Sequence, residues 1–187
     1  CSGPGIGGGN ALYSGIWIRT TQVFNPYHQF IYNHEVGHTL GLGHASGWQL
    51  PQDNEYGDAS DVMGRPPFTT PLNNAPHKDT LGWIPASKIQ TIIQSGTYTI
   101  SPLATLVGDF PVLLKVSRPV GDLASSIIDG VYTYVDTTLY LSYRRPIGYD
   151  AQLTSAYIDK TSIHTQAYTV SNIRSILADG QSYTDTK

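Results

Sequence analysis

The chain has 187 residues, carries a formal net charge of −3 and contains only 13% charged residues, about half the usual fraction. It has no run of basic residues, so we expect neither nucleic acid nor an anionic membrane surface as a partner. No stretch approaches the roughly 20 consecutive apolar residues that cross a bilayer, so we expect no membrane span. The length allows one large domain or two small ones, and the sequence leaves the oligomeric state open.

Cysteine usage says little about this chain. Cys1 is the only cysteine, so the sequence excludes an internal disulfide. A pairing partner lost upstream and an unpaired terminal thiol both remain open. The first residues also have neither the basic region nor the apolar core of a signal peptide. The cellular compartment therefore does not follow from the cysteine or from the N-terminus.

The first 41 residues predict a loop, a strand and a helix in that order. Residues 1–10 are rich in glycine and predict a loop, whereas residues 11–20 carry β-branched and aromatic side chains that predict a strand. Asn25, followed by proline, has the pattern of a helix start. We therefore expect a helix over residues 26–40, and Gly41 lies where a left-handed residue would end it.

The remainder of the chain changes from turns to strands. Residues 45–72 have turn chemistry throughout, and residues 73–83 predict a second short helix. Beyond residue 88, short segments of β-formers alternate with turn signals at 90–93, 97–101, 112–116, 132–135, 138–143, 162–170 and 175–177. Such spacing is typical of an antiparallel β-sandwich or barrel. We predict two domains, residues 1–86 and residues 87–187.

Residues 34–44 carry the most informative pattern, His-Glu-Val-Gly-His-Thr-Leu-Gly-Leu-Gly-His. His34 and His38 are four residues apart and therefore share one helix face, where both imidazoles can reach one ion. Glu35 is offset by about 100°, close to the metal but off its face. Gly41 tolerates the positive φ of a sharp turn, after which His44 can return as a third ligand.

Three histidines are the ligand set that a catalytic zinc ion needs, since such sites keep one position open for water. Five fixed positions match by chance at roughly one start in a million. Two alternatives remain: histidines that are merely packed or solvated, and a structural zinc site whose fourth ligand would be Asp58 or Asp61.

This pattern resembles the zinc motif of the metzincin metallopeptidases, which it matches at every fixed position. Metzincins also have a methionine-containing turn under the metal, and Met63 lies 19 residues after His44. Within that group the chain is similar to the gametolysin, or autolysin-like, family. The segments that carry the likeness are residues 44–46, 56–64, 74–78, 81–84, 96–100, 139–145 and 148–150.

The resemblance implies an α+β fold, with a metzincin-like catalytic portion containing the zinc helix and Met-turn, followed by the β-sandwich. It implies a secreted, extracellular zinc (Zn²⁺) endopeptidase acting on protein or glycoprotein substrates of the matrix or cell wall. Residues 11–20 would form the sheet edge that pairs with an extended substrate. Only 33 residues precede His34, fewer than the resemblance implies, so we expect an N-terminally truncated catalytic portion.

We expect Glu35 to be the general base, taking a proton from water and delivering it to the leaving amine. Tyr56 precedes Met63, unlike the tyrosine of some metzincins, so the sequence assigns no catalytic tyrosine. The alternative function is a glycan- or cell-wall-binding module with a vestigial zinc site, although a binding module has no need of Glu35.

The remaining polar residues predict structural roles. We expect His28, His77 and His164 to be satisfied or solvated outside the metal motif. We also expect Arg144 or Arg145 to form a structural ion pair with a carboxylate such as Asp150.

Overall fold

The described part of the computed structural model contains one 12-residue α-helix, a shorter second helix and a six-stranded sheet. The structure describes residues 5–9, 14–18, 28–47, 55–65, 70–118, 127–128, 131–132 and 137–185. The fold is mixed α+β, as predicted. Cys1 and the predicted helix start at Asn25 lie outside the described residues.

The N-terminal strands form a two-stranded antiparallel hairpin that packs against the first helix. Strand β1 is Gly5–Gly9 and strand β2 is Ser14–Ile18. The predicted loop over residues 1–10 is therefore wrong for residues 5–9. Glycine disfavours strands only weakly, and the β-formers of β2 supply a partner with which the glycine-rich backbone pairs.

Helix α1 spans His28–Thr39, within the predicted helix. Its end has the Schellman arrangement: Gly41 has φ of +89°, and its amide donates to the His38 carbonyl at 3.0 Å. The amide of Leu42 donates to the Gly37 carbonyl, also at 3.0 Å. These bonds reverse the chain sharply where the sequence predicted a glycine turn.

Helix α2 spans Ala75–Thr80, shorter than the predicted segment. Asn74 is its N-cap, because its side-chain oxygen accepts a hydrogen bond from the His77 amide. The helix packs on two central strands of the large sheet. Gly82, with φ of +66°, follows its end.

The large sheet draws on both halves of the chain. Its strands are β3 (Ala45–Gly47), β4 (Ile89–Ile92), β5 (Leu113–Ser117), β8 (Thr138–Arg144), β9 (Lys160–Ala167) and β10 (Val170–Leu177), in the spatial order β3-β10-β9-β8-β5-β4. A separate two-stranded ladder joins β6 (Ile127–Ile128) and β7 (Val131–Tyr132). Short 3₁₀ turns at Ala86–Lys88 and Gly148–Gln152 complete the described elements.

The prediction of an antiparallel arrangement beyond residue 88 is wrong where β4 pairs with β5, and the predicted turns over residues 45–72 are wrong at β3. Strand β3 pairs parallel with β10, and β4 pairs parallel with β5, so the sheet is mixed. Residues 97–101 are not a strand. Sequence alternation identifies strands but does not determine their order or direction, which long-range pairing decides.

The buried part of the molecule combines apolar clusters with a set of fully buried polar side chains, called here the polar layer. One contains Ala75, Ile84, Leu103, Val112 and Leu113, and another contains Leu42, Ala45, Val62 and Met63. Charged and polar side chains that are fully buried lie around α2 and the sheet: Asp58, Asp61, Asn74, His77, Arg144, Asp150 and His164. The division at residues 86 and 87 stays a prediction, although β3 pairs with a strand from beyond it.

Among the described residues, no helix is long and apolar enough to cross a lipid bilayer.

Candidate metal centre

Three histidines from two segments converge at the C-terminal part of α1. His34 and His38 lie on the helix, and His44 follows the turn at its end. Their ligand atoms all lie within 4.8 Å of one another. Hydrogen bonds from the Gly43 amide to the Thr169 carbonyl and from the Ser171 amide to the His44 carbonyl fix the returning segment to the sheet.

Each imidazole is oriented by an oxygen acceptor at Nδ1. His34 Nδ1 donates to the Val62 carbonyl and His38 Nδ1 to the Leu42 carbonyl, both at 2.9 Å. His44 Nδ1 donates to a Glu55 carboxylate oxygen at 2.6 Å. Because a carbonyl only accepts hydrogen bonds, these partners place the proton on Nδ1 and leave Nε2 with its lone pair.

The spacing of the Nε2 atoms fits a shared metal ion. His38 Nε2 and His44 Nε2 lie 3.2 Å apart. In the tautomer set by their Nδ1 partners, neither nitrogen carries a proton to share with the other. Two nitrogens on one tetrahedral zinc ion, each at about 2.0–2.1 Å, are separated by about 3.3 Å. All three histidines therefore have the tautomer that zinc requires, and His38 and His44 also have the spacing.

The electrostatics of the cluster favour neutral imidazoles, the form that binds metal. Burial, together with the neighbouring His38 and His44, lowers the pKa of His34 to about 4. Burial also lowers the pKa of His44, and His38 acts in the same direction, although Glu55 opposes them. His34 and His44 are therefore neutral at physiological pH before a cation binds.

Glu35 and Tyr56 lie beside the histidine cluster. Glu35 is buried, with 6% of its surface exposed, directly after the first histidine. The Tyr56 ring centroid lies 4.2 Å from that of His44 and 5.9 Å from that of His34. Burial, then the charges of Glu55 and Glu35, raises the pKa of the Tyr56 phenol, which remains protonated at neutral pH.

A tight turn over residues 58–64 supports the centre from below. Its Val62 carbonyl accepts the His34 hydrogen bond, and the fully buried Met63 packs against Gly37 in α1. Asp61 accepts a hydrogen bond from the Met63 amide at 2.6 Å, and Gly64 leaves no room for a Cβ beside the Asp58 carbonyl. The turn therefore couples the position of His34 to the packing of the methionine.

Comparison with known families agrees with this geometry. The sequence profile described as gametolysin peptidase M11 matches residues 7–184, nearly the whole chain. The chain belongs to the gametolysin peptidase family. The search of curated proteins and the search of solved structures each found no significant match. Membership confirms the predicted family and makes this gametolysin-family chain a metallopeptidase with protein substrates.

Asp58 and Asp61 make hydrogen bonds to other residues and are not part of the group of three histidines that could hold a metal ion. Asp58 accepts hydrogen bonds from His164, Ser60 and Asn74, and Asp61 accepts from His77 at 2.9 Å. Neither therefore serves as the fourth ligand that a structural zinc site requires.

The other predicted structural residues also lie outside the histidine cluster. His77 and His164 are fully buried and paired with aspartates. The side chain of His28 lies outside the described residues. Arg144 forms the predicted buried ion pair with Asp150, with two contacts of 2.8 Å, whereas Arg145 instead contacts Asp159 at 3.2 Å.

Sequence reasoning missed the positions of Glu55 and Tyr56 relative to the site. Both precede the methionine turn in a loop without hydrophobic periodicity. Their approach to His44 depends on the return of that loop beside β3, where Ser46 donates to the Glu55 carbonyl at 2.8 Å. No spacing rule in the sequence indicates this return.

Proposed function

We propose that this gametolysin-family chain is a zinc-dependent endopeptidase, with His34, His38 and His44 as the ligands and Glu35 as the catalytic base. One observation carries the proposal: three histidines have Nδ1 bonded to oxygen acceptors and have ligand nitrogens that lie within 4.8 Å of one another. Structural histidines that bind no metal have no need of that shared arrangement.

Zinc, when bound, would supply a Lewis acid that polarises the scissile carbonyl and acidifies water. The chain's own residues would move the proton. Glu35 takes a proton from the attacking water as its oxygen bonds to the carbonyl carbon, then passes it to the amine nitrogen as the C–N bond breaks. The products are one carboxylic acid, which loses its remaining proton to solvent at neutral pH, and one amine, and Glu35 ends the cycle unprotonated.

Tyr56 is positioned to act on the same carbonyl. Its raised pKa keeps the phenol protonated, so the hydroxyl is a hydrogen-bond donor. The ring lies against His44, on the border of the proposed metal position. We infer that Tyr56 donates to the carbonyl oxygen as negative charge develops on it.

The metzincin assignment rests on elements around the site. Helix α1 corresponds to the zinc helix and the turn containing Met63 to the Met-turn, because the methionine lies directly beneath the helix that carries two ligands. Strand β2 pairs with β1 along one edge. The other edge has no strand partner among the described residues, and an extended peptide would add there by backbone hydrogen bonds.

Family membership also supports the proposed setting of the reaction. We propose that the protein is secreted and cleaves proteins or glycoproteins of the extracellular matrix or cell wall. The alternative, a glycan- or wall-binding module with a vestigial zinc site, offers no role for a buried carboxylate beside three oriented histidines. The peptidase accounts for all four residues.

Hydrolysis of a quenched fluorescent peptide by the zinc-loaded chain tests the proposal, with Glu35→Gln as the matched control. The substitution would preserve side-chain size and zinc binding, but an amide accepts no proton, so we expect equal zinc content and a rate lower by about 10²–10⁴-fold. Equal rates in the two proteins would remove Glu35 from the mechanism. Zinc binding without hydrolysis by the parent chain would favour the binding module.

A further inference from the structure

A concave site lies on a different face of α1 from the histidines. It has a volume of about 260 Å³ and is lined in part by Gln29, Asn33 and Val36. These three occur at positions i, i+4 and i+7 and therefore share one face of the helix. Val36 is two residues from His34, about 200° around the helix. A ligand there would not occupy the metal centre.

The chemistry of this pocket is neutral and amphipathic. None of the described residues that line it carries a charge. Its polar groups are chiefly the side-chain amides of Gln29, Asn33 and Asn73, each of which offers both donors and an acceptor. Aliphatic and aromatic side chains supply the rest of its wall. An ionic ligand would find no counter-charge here.

Two exposed aromatic rings border the pocket, and each belongs to a backbone segment that is fixed by hydrogen bonds or by an ion pair. Trp83 is 50% exposed and Tyr149 is 63% exposed. The Trp83 amide donates to the Lys78 carbonyl at 2.9 Å, and the preceding Gly82 amide donates to Asp79, which forms a Schellman end to α2. Tyr149 precedes Asp150, whose buried ion pair with Arg144 anchors the 3₁₀ turn.

The side-chain amide of Asn73 is a separate indication that the pocket binds a ligand. It is only 8% exposed and lines the pocket, yet its side-chain Nδ2 has no hydrogen-bond partner within the described chain. The adjacent Asn74 contrasts with it, since its Nδ2 donates to both Asp58 and Ser171. A buried donor left without a partner is costly and uncommon in native structures. The Nδ2 atom is itself sealed from solvent, so a ligand hydroxyl would pair with it after the Asn73 side chain turns toward the pocket.

We propose that this pocket binds a neutral pyranose sugar. A pyranose has apolar C–H faces that pack on exposed aromatic rings and hydroxyl groups that both donate and accept hydrogen bonds. The two rings and three amides match these two properties. A proline-rich peptide would also pack on the rings, but its carbonyls only accept hydrogen bonds and would leave the amide oxygens unmatched. The volume of about 260 Å³ lies just below the roughly 300–1,000 Å³ of pockets that hold drug-sized ligands, and therefore suits a single ring.

The sugar site does not depend on the proposed peptidase function. Its aromatic rings and amides are not among the proposed metal ligands, although Val62 and Leu42 border both sites, so sugar binding and peptide hydrolysis can be tested separately on the full chain. Glu35→Gln should abolish hydrolysis and leave sugar binding unchanged. A failure of one proposal is therefore distinguishable from a failure of the other.

Ligand-observed NMR titration of the full chain with methyl β-galactoside, methyl β-glucoside and methyl α-mannoside tests the proposal. We expect saturable binding of at least one glycoside. Trp83→Ala and Tyr149→Ala should each weaken it about ten-fold, the effect of removing one stacking surface. Phe110→Ala is the matched control, because Phe110 is an aromatic that is 52% exposed and lies outside the pocket; it should bind normally.

Asn73→Leu adds a second readout. The substitution removes the unpartnered amide and replaces it with an apolar side chain of similar size, so we expect weaker sugar binding without loss of thermal stability. Unchanged glycoside binding in both aromatic variants, or no saturable binding of any of the three glycosides, would overturn the proposal. Saturable binding of hexaproline alone, or tighter binding of galacturonate, would equally overturn it.

Discussion

At the scale of single residues, the three histidines differ in what orients them. His34 and His38 donate to backbone carbonyls, which no side-chain substitution removes directly. His44 donates to the side chain of Glu55, a residue whose carboxylate is 57% exposed. Among the three histidines, His44 is therefore the one whose orienting hydrogen bond a side-chain substitution can remove without changing the backbone.

We predict that Glu55→Ala weakens zinc binding by about 10–100-fold, the usual cost of losing an outer-shell partner. The His44 ring would lose the acceptor that fixes its tautomer, while the other ligands keep theirs. Competition with a chromogenic chelator measures the affinity. Asp159→Ala is the control, since Asp159 is a similarly exposed carboxylate remote from the histidines. Equal zinc affinity in the parent and Glu55→Ala proteins would show that the return of the chain alone orients His44.

Tyr56→Phe should leave zinc content unchanged and lower kcat by about ten-fold or more, with little effect on KM. The reason is that the phenol would donate to charge that develops only in the transition state. Steady-state kinetics on the quenched peptide separates the two constants. A rise in KM at constant kcat would instead make Tyr56 a substrate-binding residue.

At the scale of elements, helix α1 and its end were predictable because their signals are local. Gly41 has the positive φ that its position after the helix indicated. The strands β8 and β9 were also visible in the sequence as segments of β-formers. By contrast, β1 is built from glycines that take their conformation from pairing with β2. The parallel pairing of β3 with β10 joins residues more than 120 positions apart, and no local pattern encodes it.

We predict that alanine destabilises the protein to different extents at Gly37, in α1, and at Gly64, in the methionine turn. A Cβ at Gly37 would overlap the Met63 sulfur, a side-chain atom that can shift, whereas a Cβ at Gly64 would overlap the Asp58 backbone carbonyl. We expect Gly37→Ala to cost about 1–3 kcal/mol from overpacking, offset in part by the better helix propensity of alanine. Gly64→Ala should cost more, because the backbone of the turn must move. Urea unfolding at neutral pH measures both, and a larger loss in Gly37→Ala would contradict this ranking.

At the scale of the whole molecule, buried titratable groups tie folding stability to pH. The polar layer could not be predicted as such, because its partners come from distant segments: His164 meets Asp58 across 106 positions. Burial alone would raise the pKa of Asp58, but His164, Asn74 and Ser60 outweigh it and hold that pKa well below its usual range. Burial would lower the pKa of His77, but the charge and hydrogen bond of Asp61 raise it. The two groups therefore act in different pH ranges.

Each contribution has a definite sign. Because the Asp58 pKa is lower in the folded state, its stabilisation is present above the unfolded value of about 3.9 and is lost as pH falls through the folded value. The His77 pKa is higher in the folded state, so its stabilisation is complete below about 6.5 and is lost as pH rises through the raised value. His34 has the opposite shift from His77, with a folded pKa of about 4. As pH falls, His34 becomes protonated in the unfolded chain at a higher pH than in the folded chain. The folded state therefore loses stability as pH drops from about 6.5 to 4.

We therefore predict that the metal-free protein loses about 3 kcal/mol of unfolding free energy between pH 6.5 and pH 4 through His34 alone, since its shift from 6.5 to about 4 costs about 1.4 kcal/mol per pKa unit. His44 adds to this loss, because burial lowers its pKa too. Urea unfolding of the chelator-treated chain at a series of pH values measures the slope, and His34→Gln should flatten it. An unchanged slope in that variant would assign the pH dependence to other groups. Added zinc should make the unfolding free energy fall more steeply between pH 6.5 and pH 4. The reason is that zinc stabilises the folded state at neutral pH and protons displace it from the histidines as pH falls.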